Sequence, residues 1–421
     1  MIQRTRLLSG VVATLALAGA AISGEVELTP GEEVGLSTER LAGLTEHLQR
    51  LIDEEATGGF QVLVARHGEV VLHEHVGMAD REAGRPITED SLFRIMSMTK
   101  PVVGVAMMML YEEGYFSLQD PIAMYIPEFA DLKVFAGTNS SGEMILEDPA
   151  RPPTIHDLMQ HTAGFTYGLF ADTPVDRLYL TSGLLDPRKT QQEFIATLAN
   201  LPLVSQPGRE FIYSVAVDVQ GYLIEQWTGQ ELGEFLRERI FEPLGMDETM
   251  AWAPPAQARL LAKAYTHNAE GALVPAPMSA VGAPDVKPAR FNGGGQLIST
   301  SDDYWRFCQM LLNGGTLDGV RLLAPSSVEL MRHNRLDGTA SVSGLIDRQG
   351  FGLNFAVITD TGRTDYPASM GEYFWVGVLS TSFFIDPEQD IVAILMTQYD
   401  PFQAPRYFDL LHRYVHSAVI N

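Results

Sequence analysis

A serine hydroxyl becomes a useful nucleophile only when a neighbouring group takes its proton. Ser97-Met98-Thr99-Lys100 supplies both partners three residues apart, and no other Ser-x-x-Lys occurs in the 421 residues. On a helix, positions i and i+3 share a face, so the Lys100 amine comes within reach of the Ser97 hydroxyl. A desolvated lysine amine can in general serve as a base near neutral pH. A helix N-terminus here would add a positive field and free N–H groups beside the hydroxyl. Taken alone, the four residues fit two readings: an activated serine, or a capping serine followed by a solvated lysine. Two histidine pairs also have ligand-like spacing, His73 with His75 on one face of a strand and His412 with His416 at i, i+4. Neither has a fitting acid or third ligand nearby in the sequence, so no metal site is expected. Gly293-Gly294-Gly295 is not a phosphate loop, because no Lys-Ser/Thr follows it.

The elements that must position these residues are legible in outline. Leu41, Leu44, Leu48 and Leu51 recur at helical spacing, which predicts an amphipathic helix over 37–55. Two β-rich runs, 60–66 and 70–76, flank His67-Gly68, a tight-turn signal that predicts a hairpin. Residues 97–114 read as a helix rich in Met, Val and Leu. A short helix is expected over 154–161, with Gly164 as its left-handed C-cap residue. The stretch 165–189 reads as a long irregular loop with Tyr167, Phe170 and Tyr179, and loops of that length are usually either functional or disordered. Helices are expected over 217–228, 232–240, 301–313 and 405–419. Three β-rich runs, 351–359, 373–385 and 391–398, close the chain. Strands at both ends with helices between them point to one sheet assembled from both termini around a helical insertion.

Bulk properties narrow the function classes. The formal charge of −24 disfavours nucleic acid and anionic membranes, which need basic footprints. A 46% apolar, 19% charged composition is that of a globular chain. Residues 1–24 read as a signal peptide: Arg4 and Arg6 form the basic region, 7–21 is apolar, and small residues at 18–23 offer cleavage patterns. The apolar run is short for a membrane span, so a periplasmic or secreted protein without stable membrane insertion is expected. Cys308 is the one cysteine, which leaves no intrachain disulfide and no cysteine cluster.

The stretch Phe93 to Pro101, followed by Leu110-Tyr111-Glu112-Glu113-Gly114, resembles the nucleophile helix of the serine β-lactamase and penicillin-binding-protein superfamily. The likeness is greatest to its class C β-lactamase-like branch, which includes the family VIII carboxylesterases. Further segments resemble that branch in the same order: 154–164, Phe211-Ile212-Tyr213-Ser214, 241–246, 293–303, and Trp375-Val376-Gly377 within 371–387. The resemblance implies an α+β, β-lactamase/transpeptidase-like fold over 25–421, an antiparallel sheet flanked by helices plus a helical region. The sheet is expected from about 30–95 and 290–421, and the helical region over about 100–289. It also implies Tyr213 as a proton-relaying phenol beside Ser97 and Lys100, and an oxyanion hole formed by the N–H groups of Ser97 and Val378. Trp375 and Gly377 would then contact substrate, and Tyr167 and Phe170 are candidates for the pocket wall.

Two departures from the superfamily pattern bear on substrate. Val215 stands where an Asn that holds amide substrates is usual, and no Lys-Thr-Gly occurs anywhere in the chain. Both favour carboxylic esters of small molecules, hydrolysed through an acyl-enzyme without cofactor or metal. The rivals are a β-lactamase or D,D-peptidase on the same machinery, and a catalytically idle peptidoglycan-binding relative. A Ser-His-Asp α/β-hydrolase has no support, because no G-x-S-x-G is present.

Overall fold

The computed structural model describes residues 26–277, 286–336, 340–341 and 349–420. The expected leader, 1–24, lies outside the described residues. Among the described residues, no helix is long and apolar enough to cross a membrane.

Helix α1 (Thr38–Asp53) starts where Ser37 accepts a hydrogen bond from the Arg40 N–H, and it buries the four leucines that gave its period. Strands β1 (Gly59–Arg66) and β2 (Glu69–Asp80) form the expected hairpin. His67 and Gly68 sit at φ 55° and 80°, the paired left-handed conformation that a two-residue turn demands. A short β3 (Arg85–Pro86) pairs with β2. From the C-terminal part come β4 (Gly350–Phe351), β5 (Ala356–Val357), β6 (Tyr373–Val376), β7 (Ser382–Asp386) and β8 (Ile391–Thr397). The sheet runs β4-β5-β6-β7-β8-β1-β2-β3, antiparallel throughout. The β1–β8 pair, with Val62 opposite Leu395, joins the two ends of the chain. The fold is therefore the expected antiparallel sheet flanked by helices.

All of β1 and β8 is buried, so both faces of the sheet centre are covered. Helix α4 (Ser301–Leu312) packs on one face, where Leu63 and Ala65 meet Trp305. Helix α5 (Ala404–Ala418) packs beside α1 and on β7 and β8. Helix α2 (Thr99–Glu112) has buried residues on every side, Val102 through Leu110 included, and packs against α3 (Ala216–Thr228). A helix apolar all round belongs inside a protein. That position takes Lys100, at the start of α2, into the interior with it.

Three local expectations change. The loop 165–189 contains a helix, Pro174–Thr181, started by a capping box between Thr173 and Asp176. The Thr-Pro-x-Asp signal was present, but the aromatic residues around it hid the period. Gly164 is left-handed as expected, at φ 89°, but helix Ile155–Met159 has already ended, and the left-handed residue next to its end is His161, at φ 58°. The run 373–385 is two strands, because a turn at Gly377–Ser380 folds β7 back on β6.

His73 on β2 illustrates the packing under α4. Its Nε2 lies 3.0 Å from Ser301 Oγ, and its ring 4.6 Å from that of His75. Burial, then the neighbouring His75, pushes its pKa down to about 4. The unfolded chain takes up this proton near pH 6.5, whereas the folded chain resists until about pH 4. The group thus adds stability above pH 6.5 that is lost as pH falls toward 4. Replacing His73 by Gln should therefore flatten the decline in urea-unfolding free energy between pH 7 and 4.5. Parallel curves for wild type and variant would exclude this role.

Candidate active site

Ser97 does not sit in the α-helix. It lies in a 3₁₀ turn, Met96–Met98, that leads into α2. Ser97 thus stands in the 3₁₀ turn and Lys100 in the first turn of α2, and both turn types put i and i+3 on one face. Met96 adopts a left-handed φ of 48°, an uncommon conformation for a side chain of this kind. It reverses the chain between the short strand Phe93–Arg94 and the turn. Ser97 is partly exposed, and Lys100 is 1% exposed. Lys100 Nζ donates to Ser97 Oγ at 3.1 Å and to the Gly294 carbonyl at 2.6 Å. A second partner for the amine fixes its position, and a 3.1 Å N···O contact permits proton transfer in either direction.

Tyr213 lies in the loop before α3, with its ring centroid 4.6 Å from Lys100 Nζ. Trp375 Nε1–H donates to the Tyr213 oxygen at 3.3 Å, and the rings are 5.3 Å apart. That bond occupies a lone pair of the phenol and leaves its own O–H to be donated elsewhere. Trp375 itself is 4% exposed, so the indole here backs and positions Tyr213 more than it lines open space. Tyr167 and Phe170 both approach Tyr213, with ring centroids at 5.5 Å. Phe170 is exposed, which makes it the outer edge of this aromatic group.

Gly377 is required by close approach. A Cβ there would stand 2.2 Å from Thr381 Oγ1 and 2.6 Å from the Ile95 carbonyl, and the Gly377 N–H donates to Thr381 O at 2.8 Å. The turn after β6 is thereby pressed against the chain entering the Ser97 turn, and β6 itself packs on that turn. Val378 follows in this turn, exposed, and its N–H makes no hydrogen bond among the described residues. Ser97 N–H lies in the first turn of a helix, where an intrahelical partner is lacking. Neither backbone donor has a hydrogen-bond partner among the described residues, and the turn that carries Val378 is the one pressed against the chain entering the Ser97 turn.

Other parts were not foreseen. Gly294 supplies the carbonyl that holds Lys100, and a Cβ on it would fall 2.5 Å from Tyr167 OH and 2.9 Å from Asp218 Oδ2. The triple glycine was the available signal. Asp218, left without a role by sequence, is buried beside an equally buried Arg290, with Nη1–Oδ1 at 3.2 Å. Burial, then the Asp218 charge, raises the Tyr167 hydroxyl well above its usual pKa, so Tyr167 stays a neutral phenol. His161 packs under Tyr213 at 5.0 Å, and its Nδ1 accepts from the Ser214 N–H at 3.2 Å. Burial, then the Lys100 charge, holds it well below the usual histidine range, hence neutral. A cavity of about 600 Å³ lined by Gln191, Glu225, Trp252 and Arg290 includes none of Ser97, Lys100 and Tyr213, so it is not this site. The buried Cys308 thiol is likewise remote and pushed well up by burial. His412 and His416, expected to lack an acid, have Glu372 beside them.

An antiparallel sheet flanked by helices, with a helical region opposite it and a Ser-x-x-Lys turn packed against a sheet strand, defines a β-lactamase/transpeptidase-like protein. The family profile described as Beta-lactamase matches residues 44–415, and the chain belongs to that family. It is 34% identical over 371 residues to Protein Rv1367c of Mycobacterium tuberculosis, covering 86% of this chain and 90% of that one. It is 30% identical over 378 residues to esterase EstB of Burkholderia gladioli, covering 85% and 91%. Among solved structures, EstCE1, a hydrolase with promiscuous acyltransferase activity, superposes with a TM-score of 0.74 at 27% identity, covering 90% of this chain and 99% of that one.

Proposed function

We propose that this protein is an exported serine esterase that works through an acyl-enzyme on Ser97. The observation that carries the reading is the placement of the buried Lys100 amine, 3.1 Å from Ser97 Oγ and tied to the Gly294 carbonyl. Lys100 takes the hydroxyl proton as Oγ attacks the ester carbonyl. The resulting oxyanion is received by the N–H groups of Ser97 and Val378, donors each contributing on the order of 3 kcal/mol to the transition state. Tyr213, its oxygen already accepting from Trp375, hands a proton to the departing alkoxide and is reprotonated through Lys100. A water then gives its proton to the same pair, attacks the acyl carbonyl and releases the acid, leaving Ser97 as it began. Tyr167 stays neutral and serves with Phe170 as wall, not base.

The substrate class follows from what surrounds this pair. Trp375 and Val215 occupy the positions where a cation and an amide would hold a carboxylate-bearing lactam or peptide, and both are buried, so these positions offer a substrate neither group. The likeness to EstB supports esters. The likeness to EstCE1, a hydrolase with promiscuous acyltransferase activity, supports alcohols as alternative acceptors in place of water. The deciding assay offers the purified enzyme p-nitrophenyl butyrate and a chromogenic cephalosporin side by side. The ester should be cleaved at least about 10²-fold faster in kcat/KM, since a carboxylate held without its cation loses on the order of 3 kcal/mol. Faster turnover of the cephalosporin would replace the esterase by a β-lactamase that binds carboxylate without a lysine. Export is tested by the cell fraction in which the full-length product accumulates.

A further inference from the structure

At the end of β6 remote from Gly377, four ionisable side chains converge inside the protein. Glu372 immediately precedes β6, Asp386 ends β7, and His412 and His416 stand one turn apart on α5. Glu372, Asp386 and His412 are fully buried, and the His416 side chain is 10% exposed. His412 Nε2 lies 2.7 Å from Glu372 Oε1, and His416 Nε2 lies 3.5 Å from Glu372 Oε2 and 3.9 Å from Asp386 Oδ2. Donor atoms of Glu372, His412 and His416 all fall within 4.8 Å of one another. Ligands sharing a tetrahedral zinc at about 2.0–2.1 Å are separated by about 3.3 Å. The separations of 2.7, 3.5 and 3.9 Å bracket that value, so side-chain adjustments of about an ångström complete such a sphere.

We propose that Glu372, His412, His416 and Asp386 bind a zinc ion that clamps the C-terminal helix to the β6–β7 hairpin. Three features carry this beyond proximity. His412 Nδ1 is 2.8 Å from the Phe408 carbonyl one turn earlier, so Nδ1 carries a proton, and Nε2 is the nitrogen turned to the acids, 2.7 Å from Glu372 Oε1, where a metal would take the place of its proton. That is the outer bond zinc-ligating histidines make. The Asp386 carboxylate is similarly oriented, by Ser369 Oγ at 2.6 Å and the N–H groups of Glu388 and Gln389. Next, Glu372 Oε2 and His416 Nε2 are buried without a hydrogen-bond partner. Orphaned buried polar atoms are rare, and one cation satisfies both. Finally, zinc ligands bind deprotonated, and in that bound state two carboxylates and two imidazoles would bring −2, the charge that a divalent ion cancels.

Mixed imidazole and carboxylate donors suit zinc, whereas calcium and magnesium favour all-oxygen shells. Phe384 stacks on His412 and His416, with centroids at 4.0 and 5.6 Å, and shields the cluster from water. The exposed edge of His416 provides entry. With all four positions filled by protein, the site is structural and takes no part in acyl transfer.

The test uses the purified protein stripped with EDTA and titrated with Zn²⁺ by calorimetry, with Tm read in parallel. One equivalent should bind and raise Tm, and Co²⁺ in its place should give the visible bands of a tetrahedral site. Glu372→Gln and His416→Asn should each weaken Zn²⁺ binding by more than the roughly 10–100-fold lost when an outer partner alone is removed. The His75→Asn and Ser97→Ala proteins should bind as wild type, which separates this proposal from the esterase reading. No Zn²⁺-dependent Tm rise in the wild type overturns it. So does zinc that persists in His416→Asn and is lost from His75→Asn. Should the site variants not fold, the wild-type stoichiometry and Co²⁺ spectrum decide.

Discussion

Replacing Ser97 by Ala should abolish ester hydrolysis, lowering kcat/KM for p-nitrophenyl butyrate on the order of 10⁵-fold, as removal of a nucleophile does in other serine hydrolases. By the rate–energy conversion this is about 7 kcal/mol of transition-state stabilisation. The loss should come without a change in Tm beyond a degree or so, because Ser97 is partly exposed and its one hydrogen bond is to Lys100. Mass spectrometry supplies the complementary reading. A slow ester or an organophosphonate should add one acyl or phosphonyl mass to the wild type and none to Ser97→Ala. Undiminished hydrolysis, or an adduct that survives the substitution, would move the nucleophile elsewhere and sink the mechanism.

The second large effect is expected at Lys100. Lys100→Ala removes the group that takes the Ser97 proton and should lower kcat about 10³-fold, within the usual range for loss of a general base. Because serine and lysine act as a unit, the Ser97→Ala/Lys100→Ala double variant should be no slower than Ser97→Ala alone. Lys100→Arg separates charge from basicity: a guanidinium keeps the cation near Tyr213 but does not give up its proton. It should be nearly as inactive as the alanine variant. Substantial activity in the arginine variant would make Lys100 an electrostatic anchor and leave Tyr213 as the base. Near-native Tm and circular dichroism are required of each protein, since Lys100 is buried among core residues of α2.

Much of this site was legible because its parts are local. The Ser97–Lys100 pair depends on a three-residue spacing, and either an α or a 3₁₀ turn brings the two side chains together. The β1–β2 hairpin follows from His67-Gly68 between two β-rich runs, and α1 from its leucine period and Ser37 cap. The α4 start was likewise visible, with Asp302 and Asp303 in its first turn. Each is a case where neighbours in sequence are the interacting partners.

What sequence missed depends on partners far apart in the chain. That Lys100 rests on the Gly294 carbonyl spans 194 residues, and the Trp375–Tyr213 bond spans 162. No periodicity reports such a bond, since a backbone carbonyl carries no residue-specific signal. Asp218 looked like an ordinary helix acid until folding buried it against Arg290. The histidine pair on α5 had no fitting acid nearby in sequence. Glu372 reaches it only because β6 is seated beneath α5.

The amino-acid sequence by itself determined the local units: which residues turn, cap, alternate or repeat, and that Ser97 and Lys100 lie one turn apart on one face. Only the tertiary structure decided their surroundings. Burial of α2 carried an amine into the interior, the β6–β7 turn brought Val378 beside the Ser97 turn, and Trp375 was set on Tyr213. Spacing specifies contacts within a turn, whereas burial and long-range pairing exist only once the sheet has closed β1 onto β8.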